Sequence, residues 1–402
     1  MDRELDISMD TGDVKAMPTW SPDFDPRVNT SHPELVRLIV EVEALKRSVL
    51  KIPIPPSLRE KLDRMNIIRQ IKGTTGIEGN TLAEDRIGRL VDLSASARTQ
   101  SGGPEAEASS ATMGPSSEVG LEEREVLNAD RVLRFIREEV ARDSSGRVTE
   151  GLVRALHRLT TEGCGYRGNI PGQYRNHEVE AGEYRPPGHE AVPGLMARFV
   201  SFVNARETVE GYGPVIRAIL AHFYLLSLHP FGDGNGRTAR ALEAYLLYGE
   251  GYNVRGFYSL ANFIYRNRAV YVEELQAARF RHDGNLTEFV LFALRGFVSE
   301  LQGIQDEILA FLRPVLFRDL CWQALREGTV SARAWTILEY LNSDAPAGIS
   351  EEQFRSRQHH LAEGLYAGKT AKTLARDLKA LLQAGLIAVR DGNLVANLDL
   401  LG

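Results

Sequence analysis

Cysteine is scarce in this 402-residue chain. Cys164 and Cys321 lie far apart and make no metal-binding or redox spacing. Long apolar runs are missing too. The longest, around residues 218–228, is interrupted by His222 and is too short to cross a bilayer, so no membrane partner is expected. No signal peptide is recognisable, and with so few cysteines the expected compartment is the reducing cytoplasm. Positive charge is not in excess. Lys and Arg number 48 against 54 Asp and Glu, for a net charge of −6. The chain as a whole is therefore no polycationic nucleic-acid binder, although a local basic face stays open. Internal repeats are absent. The length favours two domains over one and leaves ample chain for a large core.

One stretch concentrates chemistry: His229–Arg240, HPFGDGNGRTAR. Before it, Val215–Leu228 is long and apolar enough for a buried helix, and after it Thr238–Leu247 reads as a second helix. The stretch is thus a loop feeding a helix N-terminus. Gly234 and Gly236 admit backbone conformations that let successive N–H groups face one ligand. The helix start adds unpaired donors and positive dipole, which together make an anion site. Arg237 and Arg240 share a helix face and can both reach a phosphate chain. Asp233 offers a hard oxygen for a magnesium ion. His229 ionises near neutrality and suits a general base. These parts describe phosphoryl or nucleotidyl transfer by positioning and charge neutralisation.

The stretch resembles the Fic family signature, HxFx(D/E)GNGRxxR, with every specified position filled. The resemblance implies that His229 deprotonates a target hydroxyl and that Asp233 binds Mg2+. It implies that Gly234, Asn235 and Gly236 form an anion hole for the α- and β-phosphates, and that Arg237 and Arg240 hold the β- and γ-phosphates. Phe231 would anchor the loop. The implied reaction moves AMP from ATP, the substrate, onto a Ser, Thr or Tyr hydroxyl of a protein.

In chain order, residues 1–30 read as an extended polar arm with three prolines, in which Trp20 and Phe24 are suited to pin it to a surface. Pro33–Val49 and Ser57–Gln70 read as helices, the second with Ser57 and Glu60 as a capping box. Thr74–Asn80, TTGIEGN, resembles the family's inhibitory motif, (S/T)xxxE(G/N). That implies that Glu78 pairs with Arg240 where a γ-phosphate would go. Residues 94–120 hold no aromatics and are rich in Ser, Gly and Ala, which predicts a solvent-exposed loop. Leu121–Glu139 and Thr149–Thr160 are helical, and His157 there reads as a surface or partly buried residue rather than a catalytic one.

Gly172–Pro187 alternates between Gly and Pro bounds and predicts a short hairpin. Its order resembles the family's GxYR…V…PP…VP segment. The resemblance makes the hairpin a flap that docks the target by β-augmentation, with Tyr174, Arg175 and Val179 on it. Asn262–Phe292 reads as helical. Arg268, Tyr271 and Leu275 match the family's Arg-x-x-Tyr-Tyr-x-x-Leu pattern, which implies that Tyr271 lines the nucleotide. Val272 replaces a second aromatic, and Arg279 stands where many relatives have Asn.

Residues 299–327 read as one or two linking helices. Beyond them, Ala334–Asn342, Ser350–Leu365 and Lys369–Ala384 read as helices, followed by a hairpin turning at Asp391-Gly392. This order resembles a winged helix-turn-helix with Lys369, Lys372, Arg376 and Lys379 on its recognition helix. DNA or a protein is its expected partner.

The expected fold is mostly α: a Fic-type helical core with a β-hairpin flap, then a winged-helix-like module. The expected divisions are an arm with inhibitory helices (1–93), an insertion (94–120), a catalytic core (121–300), connecting helices (301–330) and the module (331–402). The function expected is a self-inhibited protein adenylyltransferase, with a nucleotide-sensing DNA-binding regulator as the alternative. A homodimer is left open.

Overall fold

In the computed structural model, residues 17–101, 119–257, 259–282 and 284–401 are described. Among them no helix is long and apolar enough to cross a membrane. The fold is mostly helical. Its helices are α1 (Pro33–Lys51), α2 (Pro56–Gly76), α3 (Glu84–Ser101), α4 (Leu121–Arg142), α5 (Glu150–Thr161), α6 (Val192–Asn204), α7 (Arg206–Leu228), α8 (Asn235–Gly249), α9 (Ala261–Arg266), α10 (Arg268–Gln276) and α11 (Thr287–Arg326). Then follow α12 (Ala332–Ser343), β1 (Ile349–Ser350), α13 (Glu351–Arg355), α14 (His360–Leu365), α15 (Ala371–Gln383), β2 (Ile387–Arg390) and β3 (Asn393–Ala396). Two compact units divide the chain, Met1–Gln302 and Gly303–Gly402.

In the first unit, α7 is the central helix. From Val215 to Leu228 almost every side chain is buried, as expected of a helix that is apolar on all faces. It breaks at Gly213, whose φ of 73° precedes Pro214. Helix α8 packs along it and is buried from Arg237 to Leu247. The functional loop lies between these two helices, so its ends are fixed by the best-packed part of the unit.

The arm is pinned as its aromatics suggest. Trp20 meets the rings of Phe223 and Tyr224, and Phe24 those of Phe199, Phe202 and Tyr224. The part of the arm before residue 17 lies outside the described residues.

Helix α2 starts two residues earlier than the capping box requires. Pro56 takes the first helical position, where its missing N–H costs nothing, and no side chain caps the helix. Ser57 is therefore inside the first turn, not at the cap. The helix docks by donating from Asn66 Nδ2 to the Arg255 carbonyl at 2.7 Å and from Gln70 to the Gly256 carbonyl. At Gly73 it touches the backbone of α9: a Cβ there would lie 2.5 Å from the Ala261 carbonyl carbon and 2.6 Å from Asn262 N. Gly73→Ala gains up to about 1 kcal/mol of helix propensity but forces two backbones apart, an overpacking cost of roughly 1–3 kcal/mol. A net loss on the order of 1–2 kcal/mol is expected as a lower denaturant midpoint. An unchanged midpoint would mean that the α2–α9 contact is loose.

The insertion begins later than expected. Residues 94–101 are not loop but the last two turns of α3, in which Ser96 Oγ donates to the Asp92 carbonyl at 3.0 Å. Ala95, Ala97 and Arg98 are good helix formers, and the low aromatic content of the stretch concealed them. Residues 102–118 lie outside the described residues. The helical run expected over Asn262–Phe292 is also interrupted. It divides into α9, α10, a π turn at Ala277–Arg281 and the start of α11.

In the second unit α12 is capped by Ser331, whose side chain accepts from Ala334 N. The stretch Ser350–Leu365 is two short helices rather than one. Ser350 does cap the first, but Arg357 adopts φ 60° and ends it. The hairpin β2–β3 forms, with positive φ at both Asp391 and Gly392 as its two-residue turn demands. The sheet order is β1-β3-β2, all antiparallel. Its core gathers Phe317, Ile337, Leu341, Phe354, Tyr366, Leu378 and Leu394.

Candidate functional site

Helix α7 ends at His229, which adopts the left-handed conformation (φ 53°, ψ 57°) and gives its N–H to the Leu225 carbonyl at 3.1 Å. The ring is turned back so that Nδ1 lies 3.2 Å from the Leu226 carbonyl. A carbonyl only accepts, so Nδ1 carries the proton and the Nε2 lone pair is left for chemistry. Burial holds the His229 pKa down to about 4, helped by the charges of Arg279 and Arg175, while the Leu226 bond and Glu78 oppose this.

The loop that follows is braced from within. Asn235 Oδ1 accepts from Phe231 N at 2.9 Å, and its Nδ2 donates to the Phe231 carbonyl at 3.0 Å. The Asn235 side chain is thus a loop clamp, leaving only its backbone N–H for an anion. Gly234 caps α8 at φ 73°. Behind it the N–H groups of Asn235, Gly236 and Arg237 have no acceptor among the described residues. Three orphan donors at a helix start form the anion site proper.

His157 braces the loop from outside. The sequence reading put it at or near the surface, whereas it is fully buried. Its ring stacks on Phe231 with centroids 3.7 Å apart. Nδ1 accepts from Gly172 N at 2.9 Å, so Nε2 donates to the Asp233 carbonyl at 3.0 Å. Burial pushes its pKa down to about 4, which keeps this neutral tautomer in place. Nothing in the local sequence distinguishes His157 from any helix histidine, because its partners are distant in the chain.

The two arginines differ in what holds them. Arg237 Nη1 donates to Glu125 Oε1 at 2.9 Å and to the Tyr166 hydroxyl, and Nη2 to Asp233 Oδ1 at 3.1 Å. It is already enclosed by two carboxylates, one of them from α4, and this pairing with Glu125 has no sequence signal. Arg240 is 2% exposed. Its Nε donates to Thr74 Oγ1 at 3.0 Å, and its Nη2 to the Thr74 carbonyl at 3.0 Å and to Glu78 Oε1 at 2.6 Å. A Cβ on Gly236 would lie 2.5 Å from that same Glu78 oxygen, so the carboxylate sits directly over the helix start. Burial raises the Glu78 pKa, but the Arg240 charge and hydrogen bond more than reverse this, and the group lies below the ordinary carboxylate value.

The turn that carries Glu78 is tied down on every side. Arg268 Nε donates to the Ile77 carbonyl at 3.0 Å and Lys72 Nζ to the Leu82 carbonyl at 2.8 Å. Asn80 Nδ2 donates to the Glu122 carbonyl and to Glu125 Oε2, each at 2.9 Å.

Asp233 is half-exposed. Its Oδ1 accepts from Gly234 N and Arg237, while Oδ2 accepts from no described group. No group of three His, Cys, Asp or Glu residues among the described ones could hold a metal ion alone. One free carboxylate oxygen beside an anion site fits magnesium, which is commonly held by one or two carboxylates and the substrate's phosphates.

The flap differs from the expected hairpin. Residues 172–187 hold a single bridge, Ala181 to Tyr184, and Arg185 pairs instead with Thr19 of the arm. Tyr174 and Arg175 are both engaged within the chain. The Tyr174 hydroxyl donates to Glu150 Oε2 at 2.9 Å. The Arg175 side chain is fully buried, and it donates to the carbonyls of His229, His177 and Pro187. Arg175 ties the flap to the loop, and the Tyr174 ring packs 5.5 Å from that of Phe231 on the loop. Val179 is half-buried. Tyr271 is 3% exposed, with its hydroxyl 2.9 Å from His222 Nε2, and His222 Nδ1 lies 2.5 Å from Glu243 Oε2. The Tyr271 hydroxyl thus belongs to a core network with His222 and Glu243.

Comparison with known proteins agrees with this geometry. Residues 147–247 match the Fic/DOC family. The chain is 28% identical over 233 residues to a protein adenylyltransferase Fic of Culex quinquefasciatus, covering 58% of this chain and 40% of that protein. It is 35% identical over 132 residues to that of Drosophila erecta, covering 33% and 26%. It therefore spans well under two thirds of these relatives. Two solved structures share the fold. A Fic family protein from Desulfovibrio desulfuricans G20 has a TM-score of 0.52 at 19% identity, over 89% of this chain and 91% of that one. Fic-1 from C. elegans has a TM-score of 0.51 at 22% identity, over 68% and 72%. Residues 147–247, a stretch that holds His229, the Gly234–Gly236 turn and Arg240, are thus the part of the chain that is similar to the Fic/DOC family.

Proposed function

We propose that this protein transfers AMP from ATP to a hydroxyl of a protein target, and that Glu78 holds the reaction back. The observation that carries the reading is the carboxylate of Glu78 seated on Arg240 and over Gly236. A site that captures its own carboxylate is built for an anion. Beside it stands a histidine with a free Nε2.

In the reaction, Nε2 of His229 takes the proton of the acceptor Ser, Thr or Tyr hydroxyl. The oxygen attacks the α-phosphorus, the bond to the β-phosphate oxygen breaks, and pyrophosphate leaves. The N–H groups of Asn235, Gly236 and Arg237 stabilise charge on the phosphates as it develops. Arg240 binds the terminal phosphate once Glu78 has turned away. Asp233 would hold a magnesium ion together with the donor's phosphate oxygens. That ion supplies charge neutralisation of the polyphosphate. Tyr174 and Arg175 keep the flap against the loop, and Val179 with its neighbours offers backbone to an incoming segment. The test is transfer of label from α-phosphate-labelled ATP to protein in a cell extract. No label on any protein, from wild type or from Glu78→Gly, sinks the reading.

A second reading concerns residues 303–402. Lys372, Arg376 and Lys379 are exposed along α15, and among the described residues only Arg376 has a carboxylate near, Asp377 at 3.9 Å. A basic helix face followed by a β-hairpin suits duplex DNA. Reversing Lys372 and Arg376 to Glu in the full chain should weaken duplex binding at least about tenfold and flatten its salt dependence by roughly two units. If the unaltered chain binds no DNA, the unit is left with a protein-docking role.

A further inference from the structure

Arg279 is a buried cation that no acid neutralises. It is 7% exposed. Its Nε donates to Ser227 Oγ at 2.9 Å, and its guanidinium lies 4.1 Å from the centre of the Tyr184 ring and 5.8 Å from that of Phe223. Its two terminal nitrogens find no acceptor among the described residues. The other buried arginines, Arg175, Arg217, Arg237, Arg240 and Arg255, each give at least one terminal nitrogen to a carbonyl or a carboxylate. An unpaired buried charge is strongly unfavourable, and a desolvated cation–π contact offsets only part of that cost. The position is not a slack one. It lies in the π turn Ala277–Arg281, closed by His282 N donating to the Ala277 carbonyl at 2.9 Å. Such turns are frequent at functional sites.

The unpaired nitrogens belong to the neighbourhood of the reaction. Ser227, which holds Nε, lies on the last turn of α7 before His229. The Tyr184 hydroxyl donates to the Ser227 carbonyl at 3.0 Å and to the Leu226 carbonyl at 3.3 Å, and the latter is the carbonyl that orients His229. Arg279, Tyr184 and His229 therefore converge on one helix end. The charge of Arg279 is also among those that act on His229. Arg240 and Glu78 mark the far, terminal-phosphate end of the site. A base must stand within hydrogen-bond reach of the attacking hydroxyl, so the phosphorus attacked lies at the His229 end.

We propose that Arg279 binds the phosphate that is transferred, the α-phosphate of the donor, and so completes at the His229 end the cationic lining that Arg240 provides at the other. This rests on the AMP-transfer reading. The buried guanidinium then acquires an anion only when substrate is present, and its charge is available as negative charge shifts in the transition state.

The test is calorimetric binding to the full chain carrying Glu78→Gly, with three probes: AMP, adenosine and pyrophosphate. Arg279→Gln and Arg279→Met should each weaken AMP about ten- to hundredfold, and leave adenosine and pyrophosphate within about threefold. Equal losses for AMP and adenosine would make Arg279 a contact to the nucleoside and overturn the proposal. Unchanged AMP affinity in either folded variant would overturn it as well, leaving Arg279 a structural cation balanced by the C-terminus of α7. If the Glu78→Gly parent binds none of the three probes, the nucleotide reading fails first, and that result is distinct from the other two.

Discussion

Glu78→Gly is expected to raise AMP transfer between about ten- and a hundredfold over wild type. The size follows from what ATP must displace. A hydrogen bond between charged groups is worth roughly 1.5–3 kcal/mol, and each 1.4 kcal/mol is about a factor of ten. The Glu78–Arg240 bond, at 2.6 Å, is of that kind. Its carboxylate also covers the helix start at Gly236, so both phosphate-binding elements are freed together. The turn itself should stay where it is, because Arg268, Lys72 and Asn80 fix its backbone independently of the carboxylate. On the proposed reading, the brake is a side chain that swings on a rigid mount. Glu78→Gln should relieve part of the block, since it keeps the shape and loses the charge. Removing the carboxylate leaves Arg240 buried with Thr74 as its one partner among the described residues, so the nucleotide-free variant should melt lower than wild type and be stabilised more by ATP. Equal labelling by wild type and Glu78→Gly, with ATP bound to both, would remove Glu78 as a brake.

What the sequence disclosed and what it hid follow from the range of each interaction. The loop His229–Arg240 is self-contained. The Asn235 clamp closes on Phe231, and the helix start follows from the glycines, so twelve adjacent residues carry both the pattern and most of the geometry. The pairing of Glu78 with Arg240 spans 162 positions, yet it was legible because Thr74, Glu78 and Gly79 form a pattern of their own. His157 and Glu125 form none. Each is an ordinary helix residue until α5 and α4 bring it to the loop, and only the fold makes one a stacking brace and the other the partner of Arg237. The flap misled in the opposite sense. Its alternation promised a ladder, but Arg175 spends its donors on carbonyls of the loop and of the flap itself. The edge at Arg185 pairs with Thr19, far away in the chain. Tyr271 matched a pattern by type and spacing. Its hydroxyl nevertheless joins His222 and Glu243, a network that only the packing of α7, α8 and α10 brings together.

His229→Ala, made in the Glu78→Gly chain, should abolish transfer while sparing nucleotide binding. A positioned general base contributes roughly a hundred- to ten-thousandfold, and neither of the two fully buried histidines, His157 and His222, is free to replace it. His157 is buried with both ring nitrogens engaged, and His222 is likewise held at both. The pH dependence sharpens the prediction. His229 acts as a base only when neutral, so falling pH removes activity as the ring is protonated. Burial and the nearby arginines hold its pKa down to about 4. The acid limb of kcat/KM, which reports the free enzyme, should therefore lie well below the ordinary histidine value of about 6.5. Glu78 favours the protonated ring, so its removal moves the limb lower, and the phosphates of bound ATP move the limb of kcat back up. The two profiles should thus separate, with kcat falling at the higher pH. His229→Ala retaining activity within tenfold of its parent, or a kcat/KM limb at or above 6.5, would assign the proton transfer to another group. The base would then lie on the target or in the substrate's own phosphates, and the left-handed turn that presents His229 would be a structural feature of the loop alone.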